Sequence, residues 1–364
     1  MKSTDLSVIM PNYNHAHYLP RALDAILRQS TSPREILVVD DASTDDSVSV
    51  VERIARRHPI VRLICNDRNR GVSETTNRGV GLSAGRYFLS TAADDLILPG
   101  FIQKSMDLLT RHPEAGLSCA YCSTVDGATG AISGNPSGWC ERPAYLAPRE
   151  FADRIGFGCI PGHATIYKRS AFERAGGFLP DLRWHSDWFT NFVIAFRDGI
   201  CHVPETLALL TVLPTSYSAQ GTRNAAAQRE VLDAILARLT SADYADVAPF
   251  FRETGVLTAF GPEVVRAAEA RPDRWGVPVL GLISRFTPQQ YEALSKDDDA
   301  EVRALAGFFL GPLWRMGEGR RERLEARLAE AKGSIAWMKT SKFWKVRDAL
   351  VRLKRIVTGA REAG

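Results

Sequence analysis

The sequence predicts an α/β fold: a mostly parallel sheet with helices on both faces, followed by a helical C-terminal extension. Apolar strand-like runs alternate with segments of helical spacing over the first ninety residues. The strand runs are almost continuously apolar, which is typical of parallel strands buried on both faces. After residue 224 the pattern is mostly helical. The four runs are at 6–10, 36–39, 61–64 and 87–91.

The remaining elements follow from apolar periodicity and from capping residues. Ser43 to Ser47 supplies an N-cap before one of the helices. Beyond residue 115 the pattern becomes looser, and a Gly, Pro and Ser-rich loop region is expected at 126–148. Helices are predicted at 19–29, 48–55, 71–84, 170–175 and 187–197, and further strands at 117–122 and 164–168.

The composition and the charge of the chain restrict the kinds of protein and of partner to be expected. The 364 residues carry a net charge of +4, with 45% hydrophobic and 24% charged residues, as in a soluble globular protein of more than one unit. A nucleic-acid partner is not expected from so small a charge. From Arg315 onward, however, 14 Lys and Arg stand against six acidic residues, so the C-terminal end is basic.

The six cysteines are scattered, and only Cys119 and Cys122 form a C-x-x-C pair. A second pair, which a zinc site would need, is missing, so we expect buried free thiols. The start of the chain lacks the pattern of a signal peptide, and no run of about 18 apolar residues is long enough to span a membrane. These features predict a cytoplasmic protein, with attachment at the inner face of the membrane as an option.

Polar residues follow three of the predicted strands, at the edge of the sheet where α/β proteins bind ligands. They are Asn12 to Asn14, Asp40-Asp41 and Asp94-Asp95. Two adjacent carboxylates repel each other, and a bound Mg²⁺ or Mn²⁺ that is shared with a diphosphate would remove the repulsion. The alternative for Asp94-Asp95 is a solvated turn that caps a helix.

Four segments together resemble family 2 glycosyltransferases of the GT-A fold, such as bacterial polysaccharide and O-antigen glycosyltransferases. The resemblance covers residues 6 to about 220 and rests on several motifs in the family's order. They are V-I-M-P-N-Y-N (8–14), I-L-V-V-D-D-A-S-T-D-D-S (36–47), N-R-G-V-S-E-T-T-N-R-G (69–79) and G-R-Y-F-L-S-T-A-A-D-D-L-I-L-P-G (85–100).

The resemblance implies a set of donor-binding residues. Pro11 and Tyr13 correspond to residues that line the nucleotide, and Asn77 to a polar residue beside the donor pocket. Asp41 corresponds to the aspartate that accepts an N–H from the nucleobase, which suits a carboxylate because it is an acceptor. Helix capping is the alternative for Asp41.

The resemblance also implies metal and catalytic residues. Asp94 takes the position of the last aspartate of the family's D-x-D, whose first aspartate is replaced by Ala92. Mg²⁺ or Mn²⁺ would bind at Asp94 and Asp95. Asp187, after the G-G-F of 176–178, corresponds to the general base, with an N-cap as the alternative.

The function implied is an inverting glycosyltransferase that moves a sugar from a nucleotide-diphospho-sugar, most simply a UDP-sugar, to a glycan or lipid-linked saccharide. The alternatives are a non-catalytic nucleotide-sugar-binding module and a sugar-nucleotidyltransferase, although the latter would need a Gly-rich basic loop after the first strand. Loop 160–163, including His163, is expected on the acceptor side. Residues 211–218 match the family's flexible lid.

Three regions are predicted along the chain. In the last of them, 341–357 forms a basic amphipathic helix with Phe and Trp, which suits an anionic membrane surface. The alternative is a helix packed on the body of the protein or on a homodimer partner. The regions are a GT-A domain at 1–222 (nucleotide-binding half about 1–115, acceptor half about 116–222), a helical region at 223–312 and a helical tail at 313–364.

Overall fold

The computed structural model describes residues 2–127, 129–134, 139–155, 159–213 and 216–260. In this part of the chain, a mixed ten-stranded sheet is accompanied by a short two-stranded ribbon. The strands are β1 (Lys2–Ser3), β2 (Leu6–Asn12), β3 (Thr31–Ser32), β4 (Glu35–Asp40), β5 (Val61–Cys65), β6 (Tyr87–Ser90), β7 (Leu96–Ile97), β8 (Leu117–Asp126), β9 (Ile132–Gly134), β10 (Ala144–Leu146), β11 (Thr165–Lys168) and β12 (Ile200–Val212).

The helices connect the strands and cover the sheet. Short 3₁₀ turns occur at Gly162–Ala164, Pro180–His185, Ala242–Tyr244 and Val256–Phe260. The α-helices are α1 (Leu19–Leu27), α2 (Ser47–Ala55), α3 (Val72–Leu82), α4 (Phe101–Arg111), α5 (Pro148–Arg154), α6 (Arg169–Arg174), α7 (Ser186–Asp198), α8 (Tyr217–Arg223), α9 (Ala225–Leu239) and α10 (Ala248–Thr254).

The N-terminal half of the sheet is parallel, as predicted. Its strands lie side by side in the order β6-β2-β4-β5, and each neighbouring pair is parallel. The apolar residues of the three inner strands, such as Ile9, Val38 and Phe88, are almost all buried, whereas Leu63 and Ile64 of the edge strand β5 are half-buried. The carboxyl ends of these strands therefore meet at one edge, which brings together the polar residues that follow them.

The second half of the sheet changes direction. β11 is antiparallel to both of its neighbours, β6 and β8, while β8 and β12 run parallel to each other. Because β11 opposes β6, the start of β11 lies at the same edge as the end of β6. The turn Gly162–Ala164 therefore approaches the residues that follow Ser90. β7 pairs antiparallel with β12 and brings Asp95 near Thr211.

The structure also corrects parts of the sequence-based expectation. Helix α4 and strand β12 were not predicted, and the loop region predicted at 126–148 contains the short strands β9 and β10 and the first residue of α5, Pro148. Thr211 and Val212, placed in a lid by the resemblance, end strand β12. The six cysteines are free, but Cys65 and Cys159 are exposed, so the expected burial is wrong for these two.

Chain contacts place the described helices α8 to α10 in one compact unit with the sheet, and this unit extends to Leu257. The three predicted regions stay predictions. The tail at 313–364, its helix at 341–357 and the part of 223–312 beyond residue 260 lie outside the described residues. Among the residues that the structure describes, no helix combines the length and the apolar character needed to cross a membrane.

Candidate active site

The Asp94-Asp95 turn follows β6 and is hydrogen-bonded to the end of β12. The hydroxyl of Thr211 donates to the carbonyl oxygen of Asp94 (2.7 Å), and the Thr211 N–H donates to Oδ1 of Asp95 (2.9 Å). Asp95 is 2% exposed, whereas Asp94 is half-buried. The two adjacent carboxylates therefore differ: Asp95 is enclosed by protein, and Asp94 is the accessible one.

Asp95 forms an ion pair with His163. Oδ2 of Asp95 lies 2.6 Å from Nδ1 of His163, whose side chain is 34% exposed. Burial opposes protonation of His163, but the charge of Asp95 and its hydrogen bond, followed by the charges of Asp187 and Asp94, raise its pKa to about 9. His163 is therefore paired with Asp95 and lies within electrostatic range of Asp94 and Asp187, three of the four carboxylates that the sequence singled out.

The electrostatic environment of Asp94 disfavours its negative charge. Burial, and then the charge of Asp95, raise the pKa of Asp94 above its ordinary value, while His15 and His163 act in the opposite direction. His15 lies in the segment after β2, in the nucleotide-binding half, and its effect on Asp94 is electrostatic. A carboxyl group in this position gains from a nearby cation.

Asp187 lies in the first turn of α7 and reaches the same edge of the sheet. The helix begins at Ser186 with His185 as its N-cap, so Asp187 is not the capping residue. Its Oδ1 accepts the N–H of Trp188 (2.8 Å), and its Oδ2 packs against Gly162. A Cβ built on Gly162 would lie 2.3 Å from that oxygen, so a side chain there would displace the carboxylate.

Buried hydrogen bonds fix α7, and with it Asp187, on the sheet. The hydroxyl of Tyr167 on β11 donates to Oδ1 of Asn191 (2.7 Å), and both residues are fully buried. The hydroxyl of Thr190 donates to the carbonyl of Gly177 (2.8 Å). Apolar residues of the helix, such as Phe192, are also buried.

Asp41 binds the N-terminus of α3. Its Oδ1 accepts the side-chain amide of Asn66 (2.6 Å) and the N–H of Arg70 (2.9 Å), and its Oδ2 accepts the N–H of Gly71 (2.9 Å). A carboxylate at a helix N-terminus is favoured by the helix dipole. Asp41 is 3% exposed, and the backbone N–H groups that it binds belong to Arg70 and Gly71, the two residues before α3, whose own first turn receives no side-chain cap. Contact with a nucleobase stays a prediction for Oδ2, which has one protein donor.

The neighbouring Asp40 organises the loop after β2. It accepts hydrogen bonds from the amide of Asn12 (2.8 Å) and from both the N–H (2.8 Å) and the hydroxyl (2.6 Å) of Ser43. Asn14 has a left-handed φ of 57° and accepts the N–H of Thr44 through its side chain (2.7 Å). This network holds the segment that carries the predicted donor-binding residues.

Pro11 and Tyr13 lie in that segment, at the end of β2. Pro11 is half-buried, and Tyr13 presents a ring that is 44% exposed. An exposed aromatic ring at the edge of the sheet that carries Asp94 is suited to stacking against a base or a sugar. Their contact with a nucleotide stays a prediction.

Asn77 makes a contact that the sequence did not indicate. Its amide donates to the carbonyl of Phe178 (2.6 Å), and its Oδ1 accepts the Phe178 N–H (3.0 Å). The side chain therefore joins α3 to the segment that leads into α7. Its predicted position beside the donor stays a prediction.

The carboxylates at this edge of the sheet suit a divalent cation that is shared with a substrate diphosphate. No group of three or more His, Cys, Asp or Glu residues suited to a metal occurs among the residues that the structure describes. Mg²⁺, however, is commonly bound by one or two carboxylates together with substrate phosphates. Asp94 fits this mode of metal binding, because it is accessible and its negative charge is disfavoured by its surroundings. Oδ1 of Asp95 accepts the Thr211 N–H and Oδ2 is ion-paired with His163, and the role of Asp95 as a metal ligand stays a prediction.

Comparison with known protein families identifies the domain. Residues 7–176 match the family model described as Glycosyl transferase family 2. The chain carries a family 2 glycosyltransferase domain. The resemblance inferred from the sequence motifs is thereby confirmed.

Curated relatives of this glycosyltransferase domain include synthases of bacterial polysaccharides. The chain is 29% identical to a chondroitin synthase of Escherichia coli over 175 residues, which are 48% of this chain and 24% of that protein. It is 32% identical to an uncharacterized glycosyltransferase of Nostoc over 205 residues, 56% of this chain and 63% of that protein. The matches thus span less than two thirds of these relatives.

Solved structures support the GT-A fold of the glycosyltransferase domain. The crystal structure of S. aureus TarS 1-349 in complex with UDP-GlcNAc has a TM-score of 0.59 and 18% identity, and the similarity covers 84% of this chain and 90% of that chain. At this identity the likeness concerns the fold. The GT-A expectation is confirmed by it.

Proposed function

We propose that this chain is an inverting glycosyltransferase that moves a sugar from a nucleotide-diphospho-sugar to a glycan or lipid-linked saccharide. The observation that supports the proposal is the position of His163. It pairs with Asp95 and lies within the electrostatic reach of both Asp94, the predicted metal carboxylate, and Asp187, the predicted base. The groups that would hold the donor and activate the acceptor thus face one edge of the sheet.

The donor would bind across the carboxyl ends of β2, β4 and β6. Pro11 and Tyr13 would line the nucleotide, with Asp41 and Asn77 near it. Asp94 would hold Mg²⁺ or Mn²⁺ together with the diphosphate, and the ion would supply neutralisation of the charge that the leaving diphosphate gains. UDP is the first nucleotide to test, because TarS, which shares the fold, was solved with UDP-GlcNAc.

Asp187 would act as the general base. Its carboxylate would take the proton from an acceptor hydroxyl while that oxygen forms a bond to the anomeric carbon. The bond between the anomeric carbon and the diphosphate oxygen breaks in the same step, and its electron pair leaves with the nucleoside diphosphate. Attack from the opposite face inverts the anomeric configuration.

The first experiment is calorimetric titration of UDP into the protein, with and without Mn²⁺. We compare wild type with Asp94→Asn and with Asp107→Asn, a matched control on the exposed face of α4. Metal-dependent binding that is lost only in Asp94→Asn supports the donor site. If UDP, GDP and dTDP all fail to bind, the proposed function is wrong.

The second experiment measures turnover of nucleotide-sugars, with and without saccharide acceptors. Asp187→Asn removes the base and keeps the shape of the side chain, so the rate should fall at least 100-fold while UDP binding persists. Nucleotide binding without transfer or hydrolysis would favour the binding module. Release of pyrophosphate from a nucleoside triphosphate and a sugar phosphate would favour the nucleotidyltransferase.

A further inference from the structure

His163 stands between the two halves of the proposed site. On one side its Nδ1 lies 2.6 Å from Oδ2 of Asp95, which follows Asp94 in the chain. On the other side its neighbour Gly162 packs against Oδ2 of Asp187. One short turn therefore contacts both the residue beside the predicted metal carboxylate and the predicted base.

Asp95 is enclosed by partners that come from the acceptor half. Its side chain is 1% exposed, Thr211 donates to Oδ1, and His163 pairs with Oδ2. Thr211 also donates its hydroxyl to the carbonyl of Asp94. Two residues of the acceptor half thus hold the Asp94-Asp95 turn, one from before β11 and one at the end of β12.

The position of the Asp94-Asp95 turn depends on His163, because His163 is the partner of the buried Asp95 carboxylate. A buried carboxylate that loses its partner is strongly destabilised, so Asp95 would have to move, become protonated or admit water if the imidazole were removed. Movement of Asp95 would displace Asp94, which is joined to it by one peptide bond. A displacement of about 1 Å of a reacting group can lower a rate about 100-fold.

We infer that His163 is a positioning residue that, through its ion pair with Asp95, fixes the position of Asp94 relative to Asp187. Thr211 completes the attachment from β12. The inference rests on the proposed function, because His163 would maintain the position of Asp94, the predicted metal ligand, relative to Asp187, the predicted base. It assigns Asp95 to holding the turn rather than to contact with the donor.

The test compares His163→Leu with His163→Asn. The amide of Asn reaches roughly the position of the imidazole Nδ1 and keeps a donor for Asp95, whereas Leu does not. We expect kcat/KM for the donor to fall about 10- to 100-fold in His163→Leu, with donor KM raised as well as kcat lowered because Asp94 would hold the donor's metal, and His163→Asn to recover most of the loss. His58→Leu, at an exposed position, is the control and should keep the wild-type rate.

A double-mutant cycle asks whether His163 acts through Asp95. If it does, adding Asp95→Asn to His163→Leu should lower kcat by little more than either change alone. Hydrogen exchange at the Thr211 amide should be faster in His163→Leu and restored in His163→Asn, because that N–H donates to Asp95. If His163→Leu does not melt cooperatively, His163→Ala takes its place in the comparison with His163→Asn.

The outcomes separate the two proposals. If His163→Leu keeps the wild-type rate, the positioning role alone is overturned. The same holds if the rate losses of the two single changes multiply in the double mutant. Absence of turnover by the wild type with every donor would overturn the proposed function, and with it the expected effect on kcat.

Discussion

Asn77 on α3 binds both backbone groups of Phe178, which lies 101 positions further along the chain. The carbonyl of Phe178 accepts a hydrogen bond of 2.6 Å and its N–H donates one of 3.0 Å. Gly177, which precedes it, has a left-handed φ of 74° and packs against the Asn77 amide. One side chain of the nucleotide-binding half thus holds the segment that leads to Asp187.

Replacement of Asn77 should lower stability. In Asn77→Ala the N–H and carbonyl of Phe178 lose their partners, and Phe178 is buried, so the free energy of unfolding should fall by about 2 kcal/mol. Urea unfolding checks this, with Glu52→Ala on the exposed face of α2 as the control, expected within about 0.5 kcal/mol of wild type. An unchanged free energy of unfolding in Asn77→Ala would contradict the structural role.

Gly162 should tolerate no side chain. A Cβ at this position would lie 2.3 Å from Oδ2 of Asp187, so Gly162→Ala should displace the carboxylate and lower kcat about 10- to 100-fold. Gly81→Ala is the matched control, because nothing lies within 4 Å of a Cβ there and alanine suits the interior of α3. Steady-state kinetics of both variants checks the prediction, and equal rates would show that Asp187 is not constrained by Gly162.

Asp41→Asn should destabilise the protein whether or not nucleotide is present. The carboxylate accepts three N–H groups, and an asparagine must point its own NH₂ at one or more of them. Hydrogen bonds to a charged group are worth roughly 1.5–3 kcal/mol each, so a loss of at least about 2 kcal/mol is expected. Asp67→Asn, in an exposed pair with Arg70, should cost less than about 1 kcal/mol.

The same variant separates a structural role of Asp41 from contact with a nucleobase. If Asp41 only holds the backbone of Arg70 and Gly71, UDP affinity measured well below the melting temperature should stay near that of Asp67→Asn. A further loss of affinity for UDP would support the predicted contact. Retained affinity in a destabilised variant would contradict it.

The sequence predicted the parallel half of the fold because local patterns determine it. Buried parallel strands favour nearly continuous apolar runs, as in β2, β4 and β6, whereas the edge strand β5 is interrupted by the exposed Arg62. The polar residues after β2, β4 and β6 then reach one edge by topology alone. β12 was missed because Pro204 and Glu205 interrupt its apolar pattern, and the structure accommodates them at the register shift between Val203 and Thr206.

The contacts within the site could not be predicted in the same way. The pairing of His163 with Asp95 depends on β11 running antiparallel between β6 and β8, a long-range arrangement with no local signal. The enclosure of Asp95 by Thr211 likewise depends on β12. The sequence therefore assigned both Asp94 and Asp95 to the metal, with Asp94 as the principal ligand, and did not indicate that residues of the acceptor half would enclose Asp95.

His202 should make stability depend on pH. It is fully buried on β12, its Nδ1 lies 2.9 Å from Sγ of Cys140, and its Nε2 has no hydrogen-bond partner among the described residues. Burial lowers the pKa of His202 from 6.5 to about 4, so the folded protein holds it neutral where the unfolded chain would bind a proton.

The direction of the effect follows from proton linkage. Because the folded pKa of His202 is the lower one, its contribution is fully present above pH 6.5 and is lost as the pH falls through about 4. The contribution is on the order of 3 kcal/mol. In His202→Gln the free energy of unfolding should fall less between pH 7 and pH 4 than in wild type. Urea unfolding across this range checks it, with His58→Gln as the control for loss of an exposed imidazole. Parallel pH profiles for wild type and His202→Gln would show that His202 does not titrate in the way its burial implies.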